Sequence, residues 1–166
     1  MDAIEQLLAN NQTSARDRPA SSSVAPPRLK VAIVTCMDAR IDVFSALGLR
    51  SGDAHVLRNA GATVTDDVIR SLAVSQRRLG TTDVMLISHS GCGMQTLDEN
   101  EFSAELEQAA GVSPPFAIES LSDLDTHVRE SIARVRNSPF LVHRDRVRGF
   151  VLDLDSLRLR EVYGTR

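Results

Sequence analysis

The sequence has no tryptophan, one tyrosine and only two cysteines, and aromatic residues make up 4% of its 166 positions. Two cysteines cannot provide the several disulfides that stabilise many small secreted domains. The chain must therefore rely on a hydrophobic core. With 42% hydrophobic residues over this length, one domain can bury such a core.

Runs of basic or of apolar residues are also missing. The 19 Lys and Arg residues nearly balance the 22 Asp and Glu residues, and they do not cluster, so nucleic acid is not an expected partner. No segment approaches the length of a membrane span, and residues 1–8 lack a basic region followed by an apolar core. We therefore expect a cytoplasmic protein with no membrane partner. In that reducing compartment, two cysteines favour metal binding or catalysis over a disulfide.

The first 29 residues have a composition different from the rest of the chain. Residues 2–9 predict a short amphipathic helix with Ile4, Leu7 and Leu8 on one side, too short to be stable alone in water. Residues 13–28 are rich in Ser, Pro, Arg and Ala, which predicts an extended linker. We expect residues 1–29 to form an N-terminal arm and linker, free to cross to another subunit.

From Lys30 onward, apolar runs typical of strands alternate with helical patterns. Strands are predicted over residues 31–35, 54–58 and 82–88, helices over 41–47, 66–79, 101–110 and 122–136, and a final hairpin over 147–154 and 157–162. This alternation predicts an α/β fold with a mostly parallel central sheet, helices on both faces and an antiparallel edge strand. The five phenylalanines are expected to pack in the core.

Two short motifs follow the first and third predicted strands and contain both cysteines. They are Thr35–Arg40 (TCMDAR) and His89–Gly93 (HSGCG), and ligands bind at this edge of open α/β sheets. Cys36, His89 and Cys92 form a donor set suited to zinc, and three protein ligands leave one position open, which is typical of a catalytic site. The alternatives are two buried apolar thiols or a disulfide between strand ends. The presence of His89 three residues before Cys92 favours zinc.

Three motifs in this order resemble the signature of the β-class carbonic anhydrases: Cys36-x-Asp38-x-Arg40, Arg58-Asn59-Ala60-Gly61 and His89-x-x-Cys92-Gly93. The resemblance covers residues 30–164. It implies an α/β sheet with zinc at the strand ends near a dimer interface, often with a helical arm around the partner. We therefore expect residues 30–166 to be a β-carbonic anhydrase-like zinc domain that forms a homodimer or a dimer-based higher oligomer such as a tetramer.

The resemblance also implies a reaction and a site. The expected enzyme is a carbonate dehydratase with one Zn²⁺ per chain on Cys36, His89 and Cys92, in which zinc-bound hydroxide hydrates carbon dioxide reversibly to bicarbonate and a proton. The expected catalytic residues are Asp38 and Arg40. Arg40 can hold the Asp38 carboxylate by a paired hydrogen bond, so that the carboxylate orients the hydroxide. Without that contact, Asp38 can become the fourth ligand and close the site, and the resemblance implies that both states exist.

The substrate, a small molecule, needs a pocket beside the metal. We expect four residues to line it: Asn59, Ala60, Gly61 and Gly93. The other interpretation of the first three is a tight strand-to-helix turn, and both can hold together. Because two thiolates neutralise the charge of zinc, its bound water should be less acidic than in a three-histidine site, where the pKa is about 7. Activity is then expected to dominate at mildly alkaline pH.

Two other functions remain open for the same metal site. Close relatives of the family hydrolyse carbonyl sulfide or carbon disulfide, and the metal motif does not separate them from the hydratases. A non-catalytic zinc or redox sensor is the other alternative, although Asp38 and Arg40 are both retained. The residues between the metal His and Cys are Ser90-Gly91, where many short members have Thr-Asp. Some members are regulated by bicarbonate through a tryptophan, which this chain lacks.

Overall fold

The apolar runs assemble into one five-stranded sheet in a computed structural model that describes residues 2–17 and 24–164. The elements in chain order are α1 (Ala3–Asp17), β1 (Val31–Cys36), α2 (Val43–Leu47), β2 (Ala54–Asn59), α3 (Asp66–Leu79), β3 (Asp83–His89), α4 (Glu99–Ala110), α5 (Leu124–Asn137), β4 (Val147–Leu152) and β5 (Leu159–Val162). Short 3₁₀ turns lie at Ala60–Ala62 and Gly93–Gln95.

The strand order β2-β1-β3-β4-β5 confirms the predicted α/β architecture. The first three pairings are parallel, and β5 pairs antiparallel with β4 as the edge strand. The chain leaves β1 towards β2 on one side and returns to β3 on the other side of β1. The carboxyl ends of β1 and β3 therefore meet where the strand order reverses, which is where open α/β sheets form ligand crevices.

Both faces of the sheet are buried. Ala32 and Val34 of β1 belong to a core cluster that includes residues of α3 and α5. Ile33 and Cys36 belong to a second cluster on the opposite face, which α2 helps to cover through Val43. Burial on both faces explains why β1 is a continuous apolar run, as is usual for parallel strands.

The α5 helix approaches β4 at Gly149. A Cβ atom placed on Gly149 would overlap the Val128 side chain and lie 2.9 Å from Cδ1 of Ile132. Real side chains do not tolerate such contacts, because protein cores are packed to the density of organic crystals. Because glycine has no side chain, Gly149 allows α5 to lie close to the sheet.

Local signals predicted the α3 boundaries correctly. The Thr65 side chain accepts a hydrogen bond from the Val68 backbone N–H at 3.3 Å, as an N-cap does. Gly80 ends the helix in the left-handed conformation, with a φ of 73°. These two residues alone account for where the helix begins and ends.

The N-terminal helix is longer than predicted. It runs from Ala3 to Asp17, so the linker prediction is wrong for residues 13–17, and residues 18–23 lie outside the described part of the chain. Asp2 and Glu5 exchange side-chain to backbone hydrogen bonds of 2.8 and 3.0 Å, a capping box that starts the helix. Its apolar residues Ile4, Leu7 and Leu8 are 60–70% exposed, so the helix makes no use of this protomer's core.

Two smaller expectations also need correction. The N-cap of α5 is Asp123 and not Ser122, because the Asp123 carboxylate accepts the Thr126 N–H at 2.7 Å. None of the five phenylalanines is fully buried, and Phe44, Phe116 and Phe140 are exposed. Over the two described ranges, no helix combines the length and the apolar character needed to cross a bilayer.

Candidate metal centre

The fold brings the three predicted ligands together. Cys36 is the last residue of β1 and His89 is the last residue of β3, and a turn through Ser90 and Gly91 leads on to Cys92. The side chains of Cys36, His89 and Cys92 are buried, and their ligand atoms lie within 4.8 Å of one another. This is the one such group of three or more His, Cys, Asp or Glu residues found among the described positions.

The spacing of these atoms fits a tetrahedral zinc ion. The two Sγ atoms are 4.0 Å apart, and two sulfurs at zinc bond lengths of about 2.3 Å in a tetrahedral site are separated by about 3.8 Å. The His89 Nδ1–H donates to the Ser90 carbonyl at 3.0 Å. Its Nε2 is buried and has no hydrogen-bond partner among the described residues. That orientation is typical of a metal-binding histidine, whose second nitrogen is fixed by the backbone.

Burial has opposite effects on the two kinds of ligand. It lowers the pKa of His89, so the imidazole stays neutral and can donate a lone pair. It raises the pKa of Cys92, with Cys36 adding to the rise. Without a cation, the Cys92 side chain therefore stays a thiol. A metal ion would compensate two buried thiolates, and its binding would release protons.

The turn that carries Cys92 is held by hydrogen bonds at Ser90 and Gly91. The Ser90 hydroxyl accepts the Leu154 N–H at 2.9 Å, and the Ser90 N–H donates to the Leu152 carbonyl at 2.9 Å. Gly91 has a φ of 62°, a conformation that glycine adopts without strain. Its carbonyl accepts Nη2 of Arg40 at 2.9 Å. The Ser90-Gly91 pair therefore has a geometric role beyond spacing the two ligands.

Asp38 and Arg40 form the contact expected from their spacing. The Asp38 Oδ1 accepts the Arg40 backbone N–H and Nε, both at 2.9 Å, and Oδ2 accepts Nη2 at 2.6 Å. These hydrogen bonds hold the pKa of Asp38 well below its usual range and raise the pKa of Arg40. Asp38 Oδ2 lies 3.8 Å from Nε2 of His89. The carboxylate is thus beside the three ligands but paired with Arg40.

The predicted pocket residues lie next to this group, and their contacts are those of a tight turn. Asn59 ends β2 and donates through Nδ2 to the Thr63 carbonyl at 2.7 Å. Gly61 has a φ of 75°, and a Cβ there would lie 3.3 Å from Cγ of Met94 and 3.4 Å from Cδ1 of Leu121. Gly93 is exposed at the start of its 3₁₀ turn. A role for these residues in binding substrate stays a prediction.

Sequence reasoning assigned no role of its own to Arg58. Its guanidinium donates to the carbonyls of Cys36, Asp38 and Ile41 at 2.8, 2.7 and 3.1 Å. The motif placed Arg58 near the strand end, but its acceptors are backbone atoms that every residue carries. No side-chain signal could have identified them.

Comparison with known proteins agrees with this fold and site. The carbonic anhydrase family model matches residues 31–154. β-Carbonic anhydrase 1 of Mycobacterium tuberculosis is 43% identical over 162 residues, covering 98% of this chain and 99% of that protein. The carbonic anhydrase crystal structure from Streptococcus mutans is 40% identical with a TM-score of 0.91, over 98% and 99% of the two chains. The carbon disulfide hydrolase of an Acidianus species is 28% identical over 160 residues, covering 82% of this chain and 78% of that protein.

A parallel α/β sheet with a Cys, His, Cys group at its strand ends defines a class of candidate metalloenzyme. Within that class, the chain belongs to the carbonic anhydrase family and is similar along nearly its whole length to its β members. The expected family, fold and enzyme class are confirmed. The domain boundaries, the homodimer and the cytoplasmic location stay predictions.

Proposed function

We propose that this chain catalyses the reversible hydration of carbon dioxide to bicarbonate and a proton, with one Zn²⁺ held by Cys36, His89 and Cys92. The observation that carries the proposal is the arrangement of these three buried ligand atoms within 4.8 Å, beside an Asp38 carboxylate paired with Arg40. The donor set fits zinc in chemistry and spacing. When bound, zinc supplies a water acidic enough to act as a nucleophile near neutral pH.

The residues around the metal position have separate tasks in this proposal. His89 is kept neutral by burial and oriented by the Ser90 carbonyl, so its Nε2 would be free to bind the metal. Asp38 stays ionised and acts as a hydrogen-bond acceptor that orients the attacking group. Arg40 occupies both carboxylate oxygens and thereby keeps Asp38 from becoming a fourth ligand.

The same site supports a second candidate reaction. The Acidianus carbon disulfide hydrolase is related to this chain over 160 residues, so hydrolysis of carbon disulfide or carbonyl sulfide is the alternative. These linear molecules resemble carbon dioxide in shape and in having an electrophilic central carbon. The metal ligands cannot discriminate between them, so access to the site must do so. A non-catalytic zinc or redox sensor would need neither substrate.

The test is stopped-flow hydration of carbon dioxide by metal-quantified protein from about pH 6.5 to 9, with carbonyl sulfide and carbon disulfide assayed in parallel. The proposal expects about one zinc per chain and a hydration rate that rises with pH. Full zinc occupancy with turnover of the sulfur compounds alone would assign the second reaction. Full zinc occupancy without turnover of any of these substrates would support the non-catalytic zinc or redox sensor.

We also propose a homodimer, or a higher oligomer built from it, in which α1 contributes to the interface. The exposed Ile4, Leu7 and Leu8 support this, because an isolated helix of 15 residues with an apolar side is marginal in water. Light scattering after size exclusion would measure the mass of the full chain. A variant with Leu7→Glu and Leu8→Glu should shift that mass towards the monomer, and an unchanged mass would exclude α1 from the interface.

A further inference from the structure

Arg58 connects the edge strand β2 to the loop that carries Asp38. Its backbone is paired with Thr35 of β1, one residue before Cys36. From there its side chain reaches over the end of β1, and three different nitrogens each donate to one carbonyl of the loop. Nε donates to Cys36, Nη2 to Asp38 and Nη1 to Ile41, at 2.8, 2.7 and 3.1 Å.

These three hydrogen bonds fix the path of the loop backbone. A guanidinium is planar and offers its donors in a rigid arrangement, so three carbonyls can reach it only if the loop bends around it. The Asp38 carbonyl also accepts the Ile41 N–H at 3.1 Å. Ile41 itself is buried in the second core cluster. The loop is thus held at its start, its middle and its end.

Arg58 has no ion pair with a carboxylate in the described part of the chain, in contrast to Arg40. Its donors therefore serve the backbone of this loop and not an acidic side chain. Asp38 is held from two directions, at its backbone by Arg58 and at its carboxylate by Arg40. Neither contact replaces the other, because one fixes where the Cα lies and the other fixes where the carboxylate points.

The Asp38 carboxylate lies close to one of the three ligand atoms. Its Oδ2 is 3.8 Å from His89 Nε2, whereas an oxygen and a nitrogen bound to the same tetrahedral zinc are about 3.3 Å apart. Asp38 is not part of the group whose ligand atoms all lie within 4.8 Å of one another, so its carboxylate would reach the metal position only after release from Arg40 and a movement of the loop towards the three ligands.

We propose that Arg58 is a positioning residue that holds the backbone of residues 36–41 so that the Asp38 carboxylate stays paired with Arg40 and out of the fourth metal position. The inference rests on the proposed function of the metal site and adds to it a residue whose guanidinium donates to the loop backbone.

The variants are Arg58→Lys and Arg58→Gln, each alone and combined with Asp38→Ala. Lysine keeps the positive charge, but a single ammonium group cannot reproduce the planar fork that reaches three carbonyls. Arg78→Lys is the matched control, because Arg78 is exposed on α3 and has no side-chain hydrogen bond or ion pair among the described contacts.

The first readout is the visible absorption spectrum of protein loaded with Co²⁺, which reports the ligands of the ion. Arg58→Lys should change the wild-type spectrum by adding a carboxylate ligand, and the change should disappear in Arg58→Lys/Asp38→Ala. In the hydration assay, Arg58→Lys should lower kcat/KM by about tenfold. The double variant should be no slower than Asp38→Ala alone, because residues that act through one another are not additive.

The second readout needs no metal. Hydrogen exchange of metal-free protein should be faster in a peptide covering residues 36–42 of Arg58→Lys than of wild type, with the other peptides unchanged. Neither the Co²⁺ spectrum nor hydrogen exchange requires the wild-type protein to hydrate carbon dioxide. Failure of the proposed function can therefore be distinguished from failure of the role proposed for Arg58.

Three outcomes would overturn the inference. One is an unchanged Co²⁺ spectrum together with unchanged exchange of the loop in Arg58→Lys. Another is a spectral or kinetic change that persists undiminished in the Asp38→Ala background. The third is global unfolding of both Arg58→Lys and Arg58→Gln, since a general structural role would then explain the contacts.

Discussion

Arg40 donates to both carboxylate oxygens of Asp38, at 2.9 Å to Oδ1 and 2.6 Å to Oδ2. The Arg40 side chain is 60% exposed, and exposed ion pairs contribute little to stability. The contact therefore matters for geometry more than for folding. It sets the direction of a carboxylate that lies beside three buried metal-ligand atoms.

Asp38→Ala is expected to retain zinc and to lower the rate of carbon dioxide hydration by about 100-fold, a size typical of positioned proton acceptors. The metal is retained because Asp38 is paired with Arg40 and lies outside the group of three ligands. Stopped-flow assay with zinc quantified in the same sample measures both. Asp67→Ala is the control, since it removes an exposed carboxylate paired with Arg70 on α3. Full turnover by Asp38→Ala would refute the orienting role.

The pH profile of hydration should not report the titration of Asp38. Its hydrogen bonds to Arg40 hold the pKa of Asp38 well below its usual range, so the carboxylate is ionised throughout the assay. We expect activity to rise with a midpoint above about pH 7, because two thiolates make a zinc-bound water less acidic. Asp38→Asn should lower the plateau and leave the midpoint in place. A profile flat down to about pH 6, or a midpoint that moves in Asp38→Asn, would contradict this.

The same pKa has a consequence for folding at acid pH. Because the folded-state pKa of Asp38 is lower than the unfolded value, about 3.9 for aspartate, the Asp38–Arg40 pair adds stability above that unfolded value. The contribution is lost as pH falls through the folded-state pKa. Since both side chains are partly exposed, the effect is small and local.

Cys92→Ser should lose the metal. A serine hydroxyl is a poor substitute for a soft thiolate, so zinc content should fall from about one per chain to near zero. Metal analysis after dialysis against a weak chelator measures it, with Asp38→Ala as the variant expected to keep its zinc. Full occupancy in Cys92→Ser would mean that zinc binds elsewhere.

Gly149→Ala should destabilise the domain by about 1–3 kcal/mol, the usual cost of overpacking a core. The new methyl group would overlap Val128 and crowd Ile132, so α5 would have to move away from β4. Urea unfolding measures the change. Gly93→Ala is the control for stability, because a Cβ there meets nothing within 4 Å. Equal stability of the two variants would show that α5 adjusts without cost.

The sequence predicted those features whose signals are local or chemical. Thr65 and Gly80 marked the ends of α3 because capping depends on residue type. Cys36, His89 and Cys92 were identifiable because few residue types ligate zinc, because Cys36 and His89 lie where apolar strands end, and because Cys92 follows His89 by three residues. By contrast, the second half of α1 has no apolar periodicity to reveal it, so the helix was predicted only over residues 2–9 although it continues to Asp17.

The supports of the site were harder to predict because their partners are backbone atoms. Arg58 and Arg40 donate to carbonyls of residues distant in sequence. Because every residue has a backbone carbonyl, the sequence does not show which ones act as acceptors. The turn at Gly61 illustrates the opposite case. Gly61 could be identified from the sequence as a turn residue. Whether it is needed for binding substrate or for packing against Met94 depends on three-dimensional contacts.

The hydrogen bond from Arg40 to the Gly91 carbonyl joins two parts of the site that are far apart in the sequence. One end is the loop after Cys36, and the other is the turn that carries Cys92. This contact gives ion binding at Cys92 a route by which to affect the order of the Asp38–Arg40 pair, and any such coupling is reciprocal. A metal ion that binds more tightly when the Asp38–Arg40 pair is ordered will in turn favour the ordered pair by the same factor.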